Sequence, residues 1–363
     1  MHNVKKKHLS AEQAAAKRLE NVQRAASYSA LSRAAFARRA AGLWDAASLE
    51  AAARVLEVNP DMAPIWNFRR ECLQSLHGAS VPPDAAAEPA GAVRAACEAE
   101  LALTQACLGA NPKSYPVWYH RTWVLTWGGC GWAYARELKL TTKLLSLDER
   151  NFHCWTHRRF VVQLSKVTAE AELRFTTQKV EANFSNYSAW HYRSKLLPAM
   201  HAAADPAATA AASGALRAAL LAELELLRNA FFTAPEDQSA WFYHRWVLSR
   251  LRPTGGGCGG GSGGGGGGQA REDASSVAEW ASLLRGEAEV LRELRDVEPD
   301  AKWPLAALAH ALALLGEAGA ATEAEAAERE AALTSLCGID PARRRYYEAS
   351  LAGGASAEPE EAA

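Results

Sequence analysis

The sequence predicts an all-α protein, a TPR-like solenoid of helical hairpins, on three observations. Outside one glycine tract, alanine, leucine, glutamate and arginine dominate and β-branched residues are sparse, which is helix-forming composition. Twelve tryptophans are present, and several stand in similar surroundings. The spacings between Trp118, Trp155 and Trp190 are 37 and 35 residues, the length of one helix pair with its two turns.

The repeat is carried by second helices that read Trp-x-aromatic-Arg, counting His as aromatic. Trp66 with Arg69, Trp118 with Arg121, Trp155 with Arg158 and Trp190 with Arg193 are four copies. Trp241 with Arg245 is a fifth, with one extra residue before its arginine. A weaker sixth survives as Glu298-Pro299-Asp300-Ala301-Lys302-Trp303. Trp and Arg three apart lie on neighbouring faces of a helix, so the indole can pack while the guanidinium reaches a neighbouring turn or helix. By themselves these residues describe a scaffold, because repeat arrays need a large apolar residue at each interface.

In chain order, residues 10–41 predict an N-terminal helix capped by Ser10. Leu49, Ala53 and Leu56, and again Leu138, Leu144 and Leu145, mark amphipathic first helices. Asn59-Pro60 and Asn111-Pro112 predict an N-cap followed by proline at the first helical position. Ala234-Pro235-Glu236-Asp237 starts the fifth second helix with proline and acids that suit a helix N-terminus. Longer gaps between copies hold insertions at 81–92, 202–212 and the glycine tract 255–268. The predicted organisation is a helical region with repeats over 1–252, a flexible linker over 253–271, helical repeats over 272–352 and a disordered tail over 353–363. The glycine tract lacks the Gly-Lys-Ser/Thr ending of a phosphate loop.

Several function classes are excluded. With 40 Lys plus Arg against 41 Asp plus Glu, the chain has no basic excess for nucleic acid. Seven scattered cysteines without a CxxC pair predict reduced thiols in a cytoplasmic protein, with Cys72 and Cys154 packed in the core. No run approaches the ~20 apolar residues of a membrane span. The start has no signal-peptide pattern and the end no prenylation box, so no anchor is expected.

Aligning the copies on their Trp exposes where they differ. Five residues earlier stand Asp61, Lys113, Arg150, Ser185 and Glu236. A cation is unfavourable at a helix N-terminus, so Lys113 and Arg150 are either solvated loop residues or, on adjacent repeats, parts of one anion site. Three residues before the Trp stand Ala63, Tyr115, Phe152, Tyr187 and Gln238; two before it, only His153 is ionisable. Lys113, Tyr115 and His153 form a candidate polar cluster. No His/Cys/Asp set has metal-ligand spacing.

Repeated Asn-Pro-x-x-Tyr-x-x-Trp-x-x-Arg segments resemble the protein prenyltransferase α-subunits. The segments 111–118, 148–155, 183–193 and 237–246 carry the resemblance. Met1-His2, Leu9-Ser10-Ala11-Glu12-Gln13, Asn151-Phe152-His153-Cys154-Trp155 and Glu298-Pro299-x-x-Lys302-Trp303 are most similar to the Rab (type II) geranylgeranyltransferase branch. The resemblance implies a crescent-shaped, right-handed α-α superhelix wrapped around a β-subunit. It implies that the β-subunit holds zinc, which generates the acceptor thiolate, together with the isoprenoid tail. This chain would contribute Lys113 to the diphosphate, with Tyr115, Asn151 and His153 close by and Arg150 as a second cation. The implied substrates are geranylgeranyl diphosphate and Rab GTPases presented by an escort protein. His2 would be a mobile imidazole able to reach the partner's zinc as an autoinhibitory ligand. The alternatives are the α-subunit shared by farnesyltransferase and type I geranylgeranyltransferase, acting on CaaX proteins, and a non-catalytic TPR-like adaptor. Some animal members carry an immunoglobulin-like insertion and leucine-rich repeats; here the glycine tract stands at the insertion point and the chain ends soon after Arg343-Arg344-Arg345-Tyr346-Tyr347.

Overall fold

Ser10 opens the first helix as predicted. Its hydroxyl accepts from Gln13 N, and the Gln13 side chain returns the bond to the Ser10 backbone, so two of the orphan donors at the helix start are satisfied. The computed structural model describes residues 10–78, 91–202, 209–253 and 274–353, and among them every regular element is a helix. His2, the glycine tract, the insertion after Gly78 and the tail lie outside the described residues.

The chain forms two compact units, divided between Val167 and Thr168. In the first, α1 (Ala11–Ala40) precedes three hairpins: α2 (Ala46–Val58) with α3 (Ala63–His77), α4 (Gly91–Ala110) with α5 (Tyr115–Trp127), and α6 (Tyr134–Leu147) with α7 (Phe152–Leu164). The second unit holds four: α8 (Ala169–Ala182) with α9 (Tyr187–Met200), α10 (Thr209–Thr233) with α11 (Gln238–Leu251), α12 (Ala274–Val297) with α13 (Lys302–Glu317), and α14 (Glu323–Ile339) with α15 (Arg344–Leu351). Successive second helices pack on each other, α3–α5–α7 in one unit and α9–α11–α13 in the other.

The turns differ from the sequence expectation. Asn59 and Asn111 do not cap the second helices, which start three to four residues later. Each instead bends the chain after a first helix, its side-chain oxygen accepting the N–H two residues on, from Asp61 at 3.1 Å and Lys113 at 3.2 Å. Pro60, Pro112 and Pro235 sit inside the turns, where their carbonyls accept the indole N–H of Trp66 (2.8 Å), Trp118 (2.9 Å) and Trp241 (2.9 Å). Trp155 and Trp190 do the same to the carbonyls of Glu149 and Phe184, both at 2.8 Å. Each repeat indole therefore fills the hairpin core and also satisfies a turn carbonyl six residues back. The residues that cap second helices are Asn151, Asn186 and Asp237, four before their Trp.

The repeat arginines are buried and bonded on a fixed pattern. Arg69, Arg121, Arg158 and Arg193 each donate from Nη1 to the carbonyl 20 residues earlier, on Leu49, Leu101, Leu138 and Leu173. Arg69, Arg121 and Arg193 also clamp a buried carboxylate on the next hairpin's first helix: Glu100, Glu137 and Glu223. That carboxylate is met from its own hairpin by a ring 20 residues on: His120 Nε2 at 2.9 Å, His157 Nε2 at 3.0 Å and Tyr243 Oη at 2.8 Å. Burial pushes Glu100 and Glu137 up, but the bonds from their histidines and arginines prevail and hold both at about 2. Burial likewise lowers His120 and His157, so both rings are neutral and donate from Nε2. Thr122 Oγ1 lies 3.2 Å from His157 Nδ1, where that tautomer leaves an acceptor.

The fifth and sixth copies depart from the alignment. Arg245 does not take the arginine place; His244, three after Trp241, holds it and contacts Glu287 Oε2 at 3.0 Å. The extra residue is thus not accommodated by sliding the arginine inward, because helix geometry fixes which residue faces the next hairpin. In the sixth copy Leu305, not Trp303, occupies the core position of the repeat tryptophans. Trp303 is half-buried two residues earlier, with the cations of Lys302 and Arg343 over its ring at 5.3 and 5.2 Å.

Cys72 and Cys154 behave as the expected core residues. Both are fully buried, and burial pushes the Cys72 thiol up to about 11. No described helix is long and apolar enough to cross a membrane.

Candidate functional site

Two turns of the first unit carry the candidate residues, one between α4 and α5 and the other between α6 and α7. Asn151 ties them together. Its Oδ1 accepts from Cys154 N at 3.2 Å as the cap of α7, and its Nδ2 donates to Pro112 O at 2.9 Å. With both ends of its amide bonded and its surface buried, Asn151 holds the two turns in place.

Tyr115 opens α5 and is 67% exposed. Its ring stands edge-on to His153, centroids 4.1 Å apart at 86°. Phe152, half exposed, also lies against His153 at 3.9 Å, next to Tyr115 with centroids 5.9 Å apart. The imidazole is therefore enclosed by aromatic rings and only 7% exposed. Burial, and after it the charge of Lys113, lowers the His153 pKa and leaves the ring neutral at neutral pH.

Lys113 stands just ahead of α5 with its side chain 60% exposed. Its Nζ lies 3.1 Å from Asp148 Oδ2, across the gap between the two turns. The other Asp148 oxygen accepts from Arg150 N at 3.1 Å, and the Arg150 side chain points from an exposed turn residue. The structure thus brings these residues onto two neighbouring turns: Tyr115 touches His153, Asn151 bonds Pro112 O, and Lys113 pairs with Asp148, which also accepts the Arg150 backbone N–H. The site offers one presented ammonium, a second cation nearby, the N-termini of two 13-residue helices and exposed rings. That is a surface for a polyanion carrying an apolar group.

Sequence reasoning did not find Asp148, nor the carboxylates Glu100, Glu137, Glu223 and Glu287 that receive the repeat arginines and histidines. A signal for three of these existed: each stands 20 residues before the ring that contacts it. Among the described residues no group of three or more His, Cys, Asp or Glu is placed to hold a metal ion.

Residues 97–128, 134–165, 169–200 and 220–251 each match the protein prenyltransferase alpha subunit repeat, one match per hairpin from α4 to α11. The geranylgeranyl transferase type-2 subunit alpha of Dictyostelium discoideum is 32% identical over 350 residues, 96% of this chain and 98% of that protein. This chain belongs to the protein prenyltransferase α-subunit family. The Rattus norvegicus protein of the same name is 47% identical over 260 residues, 70% of this chain. The chain spans only 42% of the rat protein's length. Its fold is also similar to a chain of the Candida albicans protein geranylgeranyltransferase-I complexed with GGPP, at 18% identity and a TM-score of 0.63 over 91% of both chains.

Proposed function

We propose that this chain is the α-subunit of a heterodimeric Rab geranylgeranyltransferase. In this reading it acts with a β-subunit, in the cytoplasm, to move a geranylgeranyl group from its diphosphate to C-terminal cysteines of Rab GTPases presented by an escort protein. The observation that carries the reading is Lys113: an ammonium presented at the start of α5, where the helix itself gains nothing from it. Kinship with relatives named geranylgeranyl transferase type-2 subunit alpha supports the choice of branch.

The chemistry asked of this chain is electrostatic. A thiolate sulfur attacks the first carbon of the prenyl chain, a C–S bond forms, and the C–O bond to the diphosphate breaks with its electron pair. Negative charge grows on the departing oxygen, and an ammonium fixed beside it stabilises the transition state more than the ground state. Lys113 fills that role and Arg150 adds a second positive charge. His153, neutral and enclosed, presents a wall with one N–H instead of a third cation. Tyr115 offers its exposed hydroxyl, and Asn151 keeps the two turns in register. In this reading zinc belongs to the β-subunit and supplies the acceptor thiolate, as the family resemblance implies.

Co-expression tests the reading. With a type II β-subunit the chain should form a stable heterodimer that modifies Rab proteins only when the escort protein is present. Modification of CaaX proteins without an escort protein, or a chain that binds peptides and no β-subunit, would overturn it.

A further inference from the structure

Four hairpin turns are built around the residue seven positions before the Trp column, where the fifth copy has Ala234. These four residues are Asn59, Asn111, Asp148 and Asn183. All four do the same local work, accepting the backbone N–H two residues on at 3.1, 3.2, 3.1 and 2.9 Å. An amide oxygen does this in three copies, so the turn does not require the negative charge of Asp148.

The adjacent helix does not require it either. Asp148 is the C-cap of α6, at the negative end of the helix dipole, where a carboxylate is disfavoured. Lys113 is misplaced in the opposite sense, a cation at the start of α5. Two charges, each set against its own helix, meet at 3.1 Å. Among the four turns that share this geometry, the carboxylate stands only in the third, and its neighbour in the second carries the lysine.

We propose that Asp148 is a positioning residue for Lys113: a built-in counter-ion that holds the ammonium between the two turns and yields it to the diphosphate of the prenyl substrate. The proposal rests on the reading of Lys113 given under Proposed function. The carboxylate is suited to the task because Oδ1 is pinned by Arg150 N while Oδ2 remains for the ammonium. The pair is also open to exchange, since the Lys113 side chain is 60% exposed and that of Asp148 35%. Exposed pairs are weak, so a multiply charged diphosphate displaces a single carboxylate readily. The buried Arg121–Glu137 pair, by contrast, is closed to such exchange. When the diphosphate leaves, Asp148 recaptures the ammonium, which keeps the product from lingering.

The test uses the heterodimer with its β-subunit and inorganic diphosphate as product inhibitor. Asp148→Asn reproduces the side chain that three other turns already carry, so folding is retained. Its inhibition constant should fall roughly two- to five-fold, the range that an exposed ion pair is worth. The KM for the prenyl diphosphate should fall with it while kcat does not rise, because ground state and transition state gain alike. In a Lys113→Ala background the same change should leave the inhibition constant where it was. An unchanged or raised inhibition constant in Asp148→Asn, with Lys113→Ala weakening inhibition, overturns the counter-ion role alone. An equal fall in both backgrounds also overturns it, since the effect would not pass through Lys113. Lys113→Ala without effect on diphosphate inhibition overturns the reading of Lys113 itself, and this proposal with it.

Discussion

Replacing Arg121 with alanine should destabilise the first unit more than most single substitutions. Arg121 is 1% exposed and makes four bonds: to Glu137 Oε1 and Oε2, both at 2.6 Å, to Thr104 Oγ1 at 2.7 Å and to Leu101 O at 2.8 Å. Without it, Glu137 keeps only the His157 contact and remains a buried charge, and Leu101 O loses a donor. Breaking a buried pair from one side costs about 3–5 kcal/mol. Urea unfolding followed by tryptophan fluorescence measures this, with the slope checked to be unchanged. The double substitution Arg121→Met with Glu137→Leu should recover more than half of the loss, because no charge is then left buried. Arg245→Ala should cost under about 1 kcal/mol, since among the described residues Arg245 takes no part in the repeat network. A cost below about 1 kcal/mol for Arg121→Ala, or a double variant as unstable as the single, would refute this assignment of the repeat arginine.

Stability should decline with acid in two stages. His120 and His157 have pKa values lowered by burial, so the unfolded chain binds their protons first and stability falls as pH drops below about 6.5. Glu100 and Glu137, held at about 2 against an ordinary 4.5, keep their full contribution above pH 4.5 and lose it as pH falls toward 2, on the order of 3 kcal/mol each. Urea titrations between pH 7 and 5 that show a flat profile would contradict the neutral buried histidines. Gly128→Ala should cost about 1–3 kcal/mol by overpacking, because a Cβ there would overlap Cys97 Sγ and lie 3.1 Å from Cys130 Sγ. Gly128 has φ −91°, so the cost is steric, and Cys97→Ala should restore the melting temperature; failure of that rescue would point to another cause.

The hairpins were legible in the sequence because one large residue, the Trp, recurs at the core of each and its spacing follows helix-pair length. Ser10 was legible because a capping box is local. Less legible were the turns: Asn-Pro reads as a helix start, yet the cap lies three residues beyond Asn111, at Ser114, since the Asx turn and proline fill the bend first. The carboxylate partners escaped because their separation from the arginine follows the intervening loop, 31 residues for Arg69–Glu100 and 16 for Arg121–Glu137. Register also failed where the Trp itself was lost, as at Leu305. For the site, Lys113 stood out as a charge at the wrong end of a helix. Asp148 did not, because an Asp in a column of Asn looks like an ordinary turn residue until the lysine is seen beside it.

Single-turnover transfer by the Lys113→Ala heterodimer tests the central claim most directly. With the prenyl diphosphate bound and the escort protein–Rab complex saturating, the chemical step should slow on the order of a hundredfold, the effect of removing one preorganised donor from a developing oxyanion. Heterodimer formation should be unchanged, because the Lys113 side chain is 60% exposed and its ammonium pairs with Asp148 on the neighbouring turn. An unaltered single-turnover rate would contradict the account.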